Sequence, residues 1–160
     1  MSARNNSVRA ADFRLAGFLP FRLAVATDNI ARVFAEHYEG LSDLTIPEWR
    51  ALAVIAEHGT LSPTAVGQYA AMDKVKVSRA AQSLVAKGLL RQSQDPRDGR
   101  GRLLRLTRKG VAIHARTVPL ALKVESKLFE SLSEADKVAL GRVLTKVTYS
   151  LETNGRTGAI

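Results

Sequence analysis

The 160 residues predict a mainly α fold with a small β-wing, and three observations carry that expectation. Short helical segments follow one another, each bounded by cap residues. Two strand-like segments, "LLRQSQ" and "RLLRL", flank the Asp-, Pro- and Gly-rich stretch "DPRDGRG", as a hairpin requires. The charge is concentrated: residues 74–109 hold eleven Lys and Arg against two Asp, a net +9 equal to that of the whole chain. Three short helices followed by a hairpin make a winged helix-turn-helix DNA-binding domain, here with a helical dimerisation region built from the N- and C-terminal helices.

Residues 1–12 are polar and expected to be loose. Residues 13–43 form the N-terminal dimerisation helix, its apolar pattern running from about Phe13 to Tyr38. Pro20 should break or kink it near its start, and Gly40 with "LSDL" should end it. The winged helix-turn-helix then occupies 44–107. Thr45 with Glu48 reads as a capping box, and Leu44 with Trp49 as the hydrophobic staple of a second helix that Gly59 closes. Ser62 caps a third helix with Pro63 at its first position and Val66, Tyr69 and Ala70 on its apolar side. Asp73 caps a fourth, from Lys74 to Lys87, with Gly88 after it.

Residues 108–152 supply the C-terminal dimerisation helices. Thr107 caps a stretch reaching about Phe129 that Pro119 should kink or interrupt, and "SEAD" opens a last helix from Ser133 to about Leu151. Residues 153–160 read as a frayed tail. The terminal helices carry Phe13, Phe18, Phe21, Phe34, Leu122, Leu128, Phe129, Leu144 and Leu151. That is more apolar surface than one small winged domain can cover, as in an association surface.

Composition excludes several chemistries. Without cysteine there are no disulfides, thiolate metal sites or thiol nucleophiles. His37, His58 and His114 lack metal-ligand spacing, so no metal and no cofactor is expected. Neither a phosphate-cradling glycine loop nor a nucleophile elbow is present, which speaks against an enzyme. No apolar run is long enough for a membrane span and no secretory signal opens the chain, so a cytoplasmic location is expected.

A positive field this concentrated attracts a polyanion, and double-stranded DNA is the expected partner. On a wheel of the fourth helix, Val77, Ala80, Ala81, Leu84 and Val85 gather on one side. Val75, Arg79 and Gln82 lie opposite, flanked by Lys76 and Ser78. Such a helix fits a major groove, with Arg79 suited to guanine, Gln82 to adenine and Val75 to a thymine methyl. Lys74, Lys76 and Ser78 are candidates for phosphate or mixed contacts, and Ser62 and Thr64 for phosphate at the start of the third helix. Arg97 and Arg100 at the hairpin tip are candidates for a minor groove, with Asp98 orienting one of them or capping the turn. Arg102 is a candidate for the DNA backbone.

The stretch from Leu44 to Gly110 resembles the MarR family of bacterial transcription regulators. Asp95, Asp98 and Arg100 of the wing carry the likeness, with Leu106, Thr107 and Gly110 of "LT-x-x-G" and the recognition-helix stretch "VSRAAQSLVAKGLL". The resemblance implies a homodimer on a pseudopalindromic operator, released by a small-molecule effector. "IPEWRAL" and "FRLAVATDN" look like the branch that senses aromatic or phenolic carboxylates. Arg22 is then a candidate carboxylate clamp, Phe18 and Trp49 candidate pocket walls, and His37 or His114 a hydrogen-bond partner. The function expected is a ligand-responsive repressor. The alternative is a nonspecific architectural nucleic-acid-binding protein, which the same basic patch would serve.

Overall fold

The computed structural model describes residues 13–96 and 98–157, and its first long helix carries a proline in its first turn. Helix α1 (Leu19–Ser42) follows a single 3-10 turn at Leu15–Gly17 and has Pro20 in its first turn. There a missing N–H removes no intrahelical bond, so Pro20 starts the helix rather than breaking it. Gly40 does not stop α1 either. The helix ends two residues later, where Asp43 takes the left-handed conformation at φ 51°.

Helix α2 (Ile46–His58) opens with the expected capping box. The Glu48 N–H donates to Thr45 Oγ1 and the Thr45 N–H to Glu48 Oε2 at 2.7 Å. Its end is set by Gly59 at φ 83°, a conformation glycine adopts without a Cβ penalty. Helix α3 (Pro63–Ala70) is capped by Ser62, and α4 (Lys74–Ala86) by Asp73, whose Oδ1 accepts from the Lys76 N–H at 2.8 Å. Between them the chain turns in three residues, with Ala71 left-handed at φ 50°. Gly67 lets the turn close: a Cβ there would stand 3.0 Å from the Met72 carbonyl oxygen and 3.4 Å from Val77 Cγ2.

The wing is the antiparallel pair β1 (Leu90–Asp95) and β2 (Asp98–Leu106), in register from Leu90↔Leu106 to Gln94↔Arg102 with an irregularity at Asp95. The strands reach nearly to the tip, so "DGRG" is strand where a loop was expected. Leu61 adds a one-residue rung on the other side of β2, exchanging two backbone hydrogen bonds with Leu104. Leu44, Leu52, Ile55, Val66, Val77, Leu84, Leu89, Leu90 and Leu104 form the core beneath these elements. Two residues expected on apolar faces stand outside it. Tyr69 is 58 % exposed and stacks on His58 at 4.1 Å, and Val85 is 37 % exposed at the edge of α4.

Thr107 caps α5 (Arg108–Leu128), accepting from the Gly110 N–H at 3.0 Å and donating to the Gly88 carbonyl at 2.7 Å. Pro119 lies within α5 without interrupting it. Helix α6 (Glu134–Thr157) is capped by Ser133 and Asp136 and continues past Leu151, so the tail is helical to Thr157. The chain divides into two compact units, residues 1–119 and 120–160. The second has its own cleft of about 400 Å³ between the end of α5 and α6, lined by Leu122, Phe129, Leu140 and Leu144.

Candidate nucleic-acid interface

The buried side of α4 decides what its other side can do. Val77, Ala80, Ala81 and Leu84 are buried, as their spacing requires. Lys74, Val75, Lys76, Ser78, Arg79 and Gln82 are therefore all exposed on the remaining surface, Val75 by 58 %. Ser78 and Gln82 stand one turn apart, with the Gln82 amide donating to Ser78 Oγ at 3.5 Å.

A cleft of about 780 Å³ runs along one side of this face, between α3, α4 and the wing. Thr64, Lys74, Ser78, Gln82 and Arg102 all line it. It thus brings together five of the residues the sequence singles out. Two further side chains there, Gln68 and Gln92, escaped the sequence reading. Gln68 is one turn beyond Thr64 on α3 and so was reachable from spacing. Gln92 pairs with Leu104, which makes Arg102 its diagonal neighbour on the same face of the hairpin. With the amide turned so that both groups are satisfied, the Gln92 oxygen accepts from Arg102 Nη1 at 2.8 Å and Nε at 3.2 Å. That fixes the guanidinium of an otherwise long, flexible side chain.

The cleft does not include the other expected residues. Ser62 spends its hydroxyl on the α3 cap, accepting from the Ala65 N–H at 3.2 Å. Lys76 is partly neutralised, with Nζ 3.3 Å from Asp73 Oδ2. The Asp73 carboxyl is itself held below its ordinary value, first by the Lys76 N–H and further by the Lys76 ammonium. A carboxylate therefore sits at the N-terminus of α4, on the face that carries the cations. Arg97 lies outside the described residues, and Asp98 and Arg100 are placed only as backbone at the start of β2.

The effector candidates are dispersed. Phe18 precedes α1 and packs edge-on against Phe13, with ring centroids 5.6 Å apart. Arg22 is exposed one turn later, its N–H bonded to the Phe18 carbonyl. Trp49 is half-buried beside Phe34, at 6.2 Å between rings. Phe34 lies twelve residues along α1 from Arg22, about 18 Å of rise, so a single chain does not bring Arg22 beside Trp49. His114 is half-buried in α5, its carbonyl accepting from Thr117 Oγ1 at 3.0 Å, and the His37 side chain lies outside the described residues. Among the described residues no cluster of His, Cys, Asp or Glu is placed to hold a metal ion, and no helix is long and apolar enough to cross a membrane.

The profile of the MarR family matches residues 42–101, from the end of α1 into the wing. The chain is 26 % identical over 130 residues to the HTH-type transcriptional repressor IacR of Pseudomonas putida, spanning 78 % of each protein. It is 28 % identical to Bordetella bronchiseptica BpsR, whose DNA binding is regulated by 6-hydroxynicotinic acid. That structure superposes with a TM-score of 0.76 over 81 % of this chain and 98 % of BpsR. Streptomyces coelicolor Sco3205, a MarR family regulator solved in complex with DNA, shares the fold at a TM-score of 0.80 and 22 % identity over 92 % of this chain and 93 % of its own. These relatives are transcription regulators and not enzymes. With its winged helix-turn-helix and basic cleft, the chain is similar to the MarR family of transcription regulators over residues 42–101.

Proposed function

We propose that the protein is a homodimeric repressor that reads a pseudopalindromic operator with α4 and leaves it when a small aromatic carboxylate binds. The observation that carries the reading is the joint placement of Thr64, Lys74, Ser78, Gln82 and Arg102 along one cleft beside an exposed α4 face. Phosphate contacts from the cleft would set the register, while Arg79, Gln82 and Val75 face the base edges. Ser62 contributes through the α3 N-terminus, Lys76 as a weakened cation, and the wing residues Arg97, Asp98 and Arg100 at the neighbouring minor groove. A regulator of a bacterial promoter does this work in the cytoplasm.

Two observations support the dimer. Phe13, Leu15, Phe18, Leu19, Leu23 and Val25 near the N-terminus are 41–66 % exposed. Val138, Val143, Leu144 and Leu151 of α6 are 45–72 % exposed. Apolar surface on this scale is ordinarily covered by another chain. The effector class rests on Arg22, in the first turn of α1 with its N–H on the Phe18 carbonyl, and on the ligand of BpsR. Because Trp49 packs beside Phe34, about 18 Å along α1 from Arg22, a pocket using both would draw them from two chains.

Hydroxyl-radical footprinting tests the reading, on a duplex that the protein itself selects from a random-sequence pool. Two protected half-sites centred about one helical turn apart are expected from a two-fold dimer. Featureless protection along the whole duplex would favour the architectural alternative. Benzoate or 6-hydroxynicotinate should release the selected duplex from the wild type but not from Arg22→Ala. Release from both would remove Arg22 from the effector site.

A further inference from the structure

We propose that Lys87 is a positioning residue for operator reading: clamped by Glu48, it fixes the far end of α4, and with it the angle at which α4 meets DNA. The inference rests on the DNA-reading proposal above. Lys87 is the first residue after α4, and four elements meet on it. Its ammonium donates to both carboxylate oxygens of Glu48, at 2.9 and 3.0 Å, and to the Asp43 carbonyl at the end of α1. Its own carbonyl accepts from Lys109 Nζ, in the first turn of α5, at 2.9 Å. Glu48 is almost fully buried and is already committed to the α2 cap through Thr45. The chain then leaves α4 through Gly88 at φ 70°, with Leu89 N–H bonded back to Leu84 and Gly88 N–H to Val85, a Schellman ending.

The geometry gives this clamp leverage. A helix of 13 residues is about 20 Å long, so a 10° tilt about its C-terminal end displaces the N-terminal end by about 3 Å. Hydrogen bonds to base edges tolerate only tenths of an ångström. Phosphate attraction, acting through space, tolerates much more. Loosening the clamp therefore degrades base reading while leaving charge-driven binding in place. Among the described side chains of the basic stretch, Lys87 is the cation whose ammonium is turned onto a buried carboxylate.

The test measures affinity for the selected duplex and for a scrambled duplex of equal composition, over a range of salt, with the full chain. The wild type is compared with Lys87→Met and Glu48→Gln, and with Lys87→Arg should Lys87→Met fail to fold. The ratio of the two affinities should fall on the order of tenfold in each variant, the loss of about one well-placed base contact, while the salt slope stays at the wild-type value. If Lys87→Met instead lowers the slope by about one and weakens both duplexes equally, Lys87 is a phosphate ligand and the inference is wrong. A lower melting temperature with ratio and slope unchanged would reduce the pair to a structural ion pair and overturn the inference as well. A wild type with no preference between duplexes would be a different failure, that of the DNA-reading proposal itself.

Discussion

Glu48 and Arg79 sit at opposite ends of what a single residue can reveal. Burial alone would raise the Glu48 pKa. Hydrogen bonds from Ser83, the Thr45 N–H and Lys87, together with the Lys87 charge, outweigh burial and hold the carboxyl below its ordinary 4.5. Its contribution to stability is then complete above pH 4.5 and is lost as pH falls through the lower folded-state value. Glu48→Gln should destabilise by roughly 3 kcal/mol at neutral pH, the low end for a broken buried pair because Lys87 keeps partial access to water. Urea melts should show that gap closing in acid; a gap independent of pH would contradict the assignment. The capping role of Glu48 was legible in "T-x-x-E". Its pairing with Lys87, 39 residues away, was not, because only the packing of α2 on α4 brings the two together. Arg79, by contrast, was fully legible from the helical wheel and is as exposed as predicted. Arg79→Ala should reduce affinity for the selected duplex about tenfold and relax preference at one base pair. An unchanged preference profile across single-base variants would withdraw Arg79 from base reading.

At the scale of elements, local chemistry was the reliable guide. Thr45, Ser62, Asp73 and Thr107 each cap the helix expected of them, since a capping bond involves residues only three apart. Proline and glycine misled where position within the element mattered. Pro20 falls in a first turn and Gly40 stays helical, while Pro119 is carried inside α5 without ending it. The Leu61 rung on β2 has no sequence signature, being one residue long. Gly110, singled out only by family resemblance, has a physical reason: a Cβ there would overlap the Leu89 carbonyl oxygen and stand 3.1 Å from Leu106 Cδ2. Gly110→Ala should therefore lower stability by about 1–3 kcal/mol despite alanine's better helix propensity. Thermal melting decides it, and a melting temperature equal to or above wild type would show that α5 can shift without loss.

For the whole molecule, the charge distribution points to a polyanionic partner before any fold is drawn, because a net +9 confined to residues 74–109 has few other uses. What it could not give was the cleft. Gln68 and Gln92 acquire meaning only when α3, α4 and β2 enclose a common space. Nor could periodicity place Arg22 relative to Trp49, since that depends on the path of α1 past α2. The claim on which everything else depends is that the α4 face reads sequence rather than charge alone. Fluorescence anisotropy with the selected duplex and its scrambled counterpart, at two salt concentrations, tests that claim most directly. A preference of about a thousandfold, persisting as salt weakens both affinities, is the expected result for an operator-reading regulator. Equal affinities falling together with salt would contradict it, leaving a basic surface that follows phosphates.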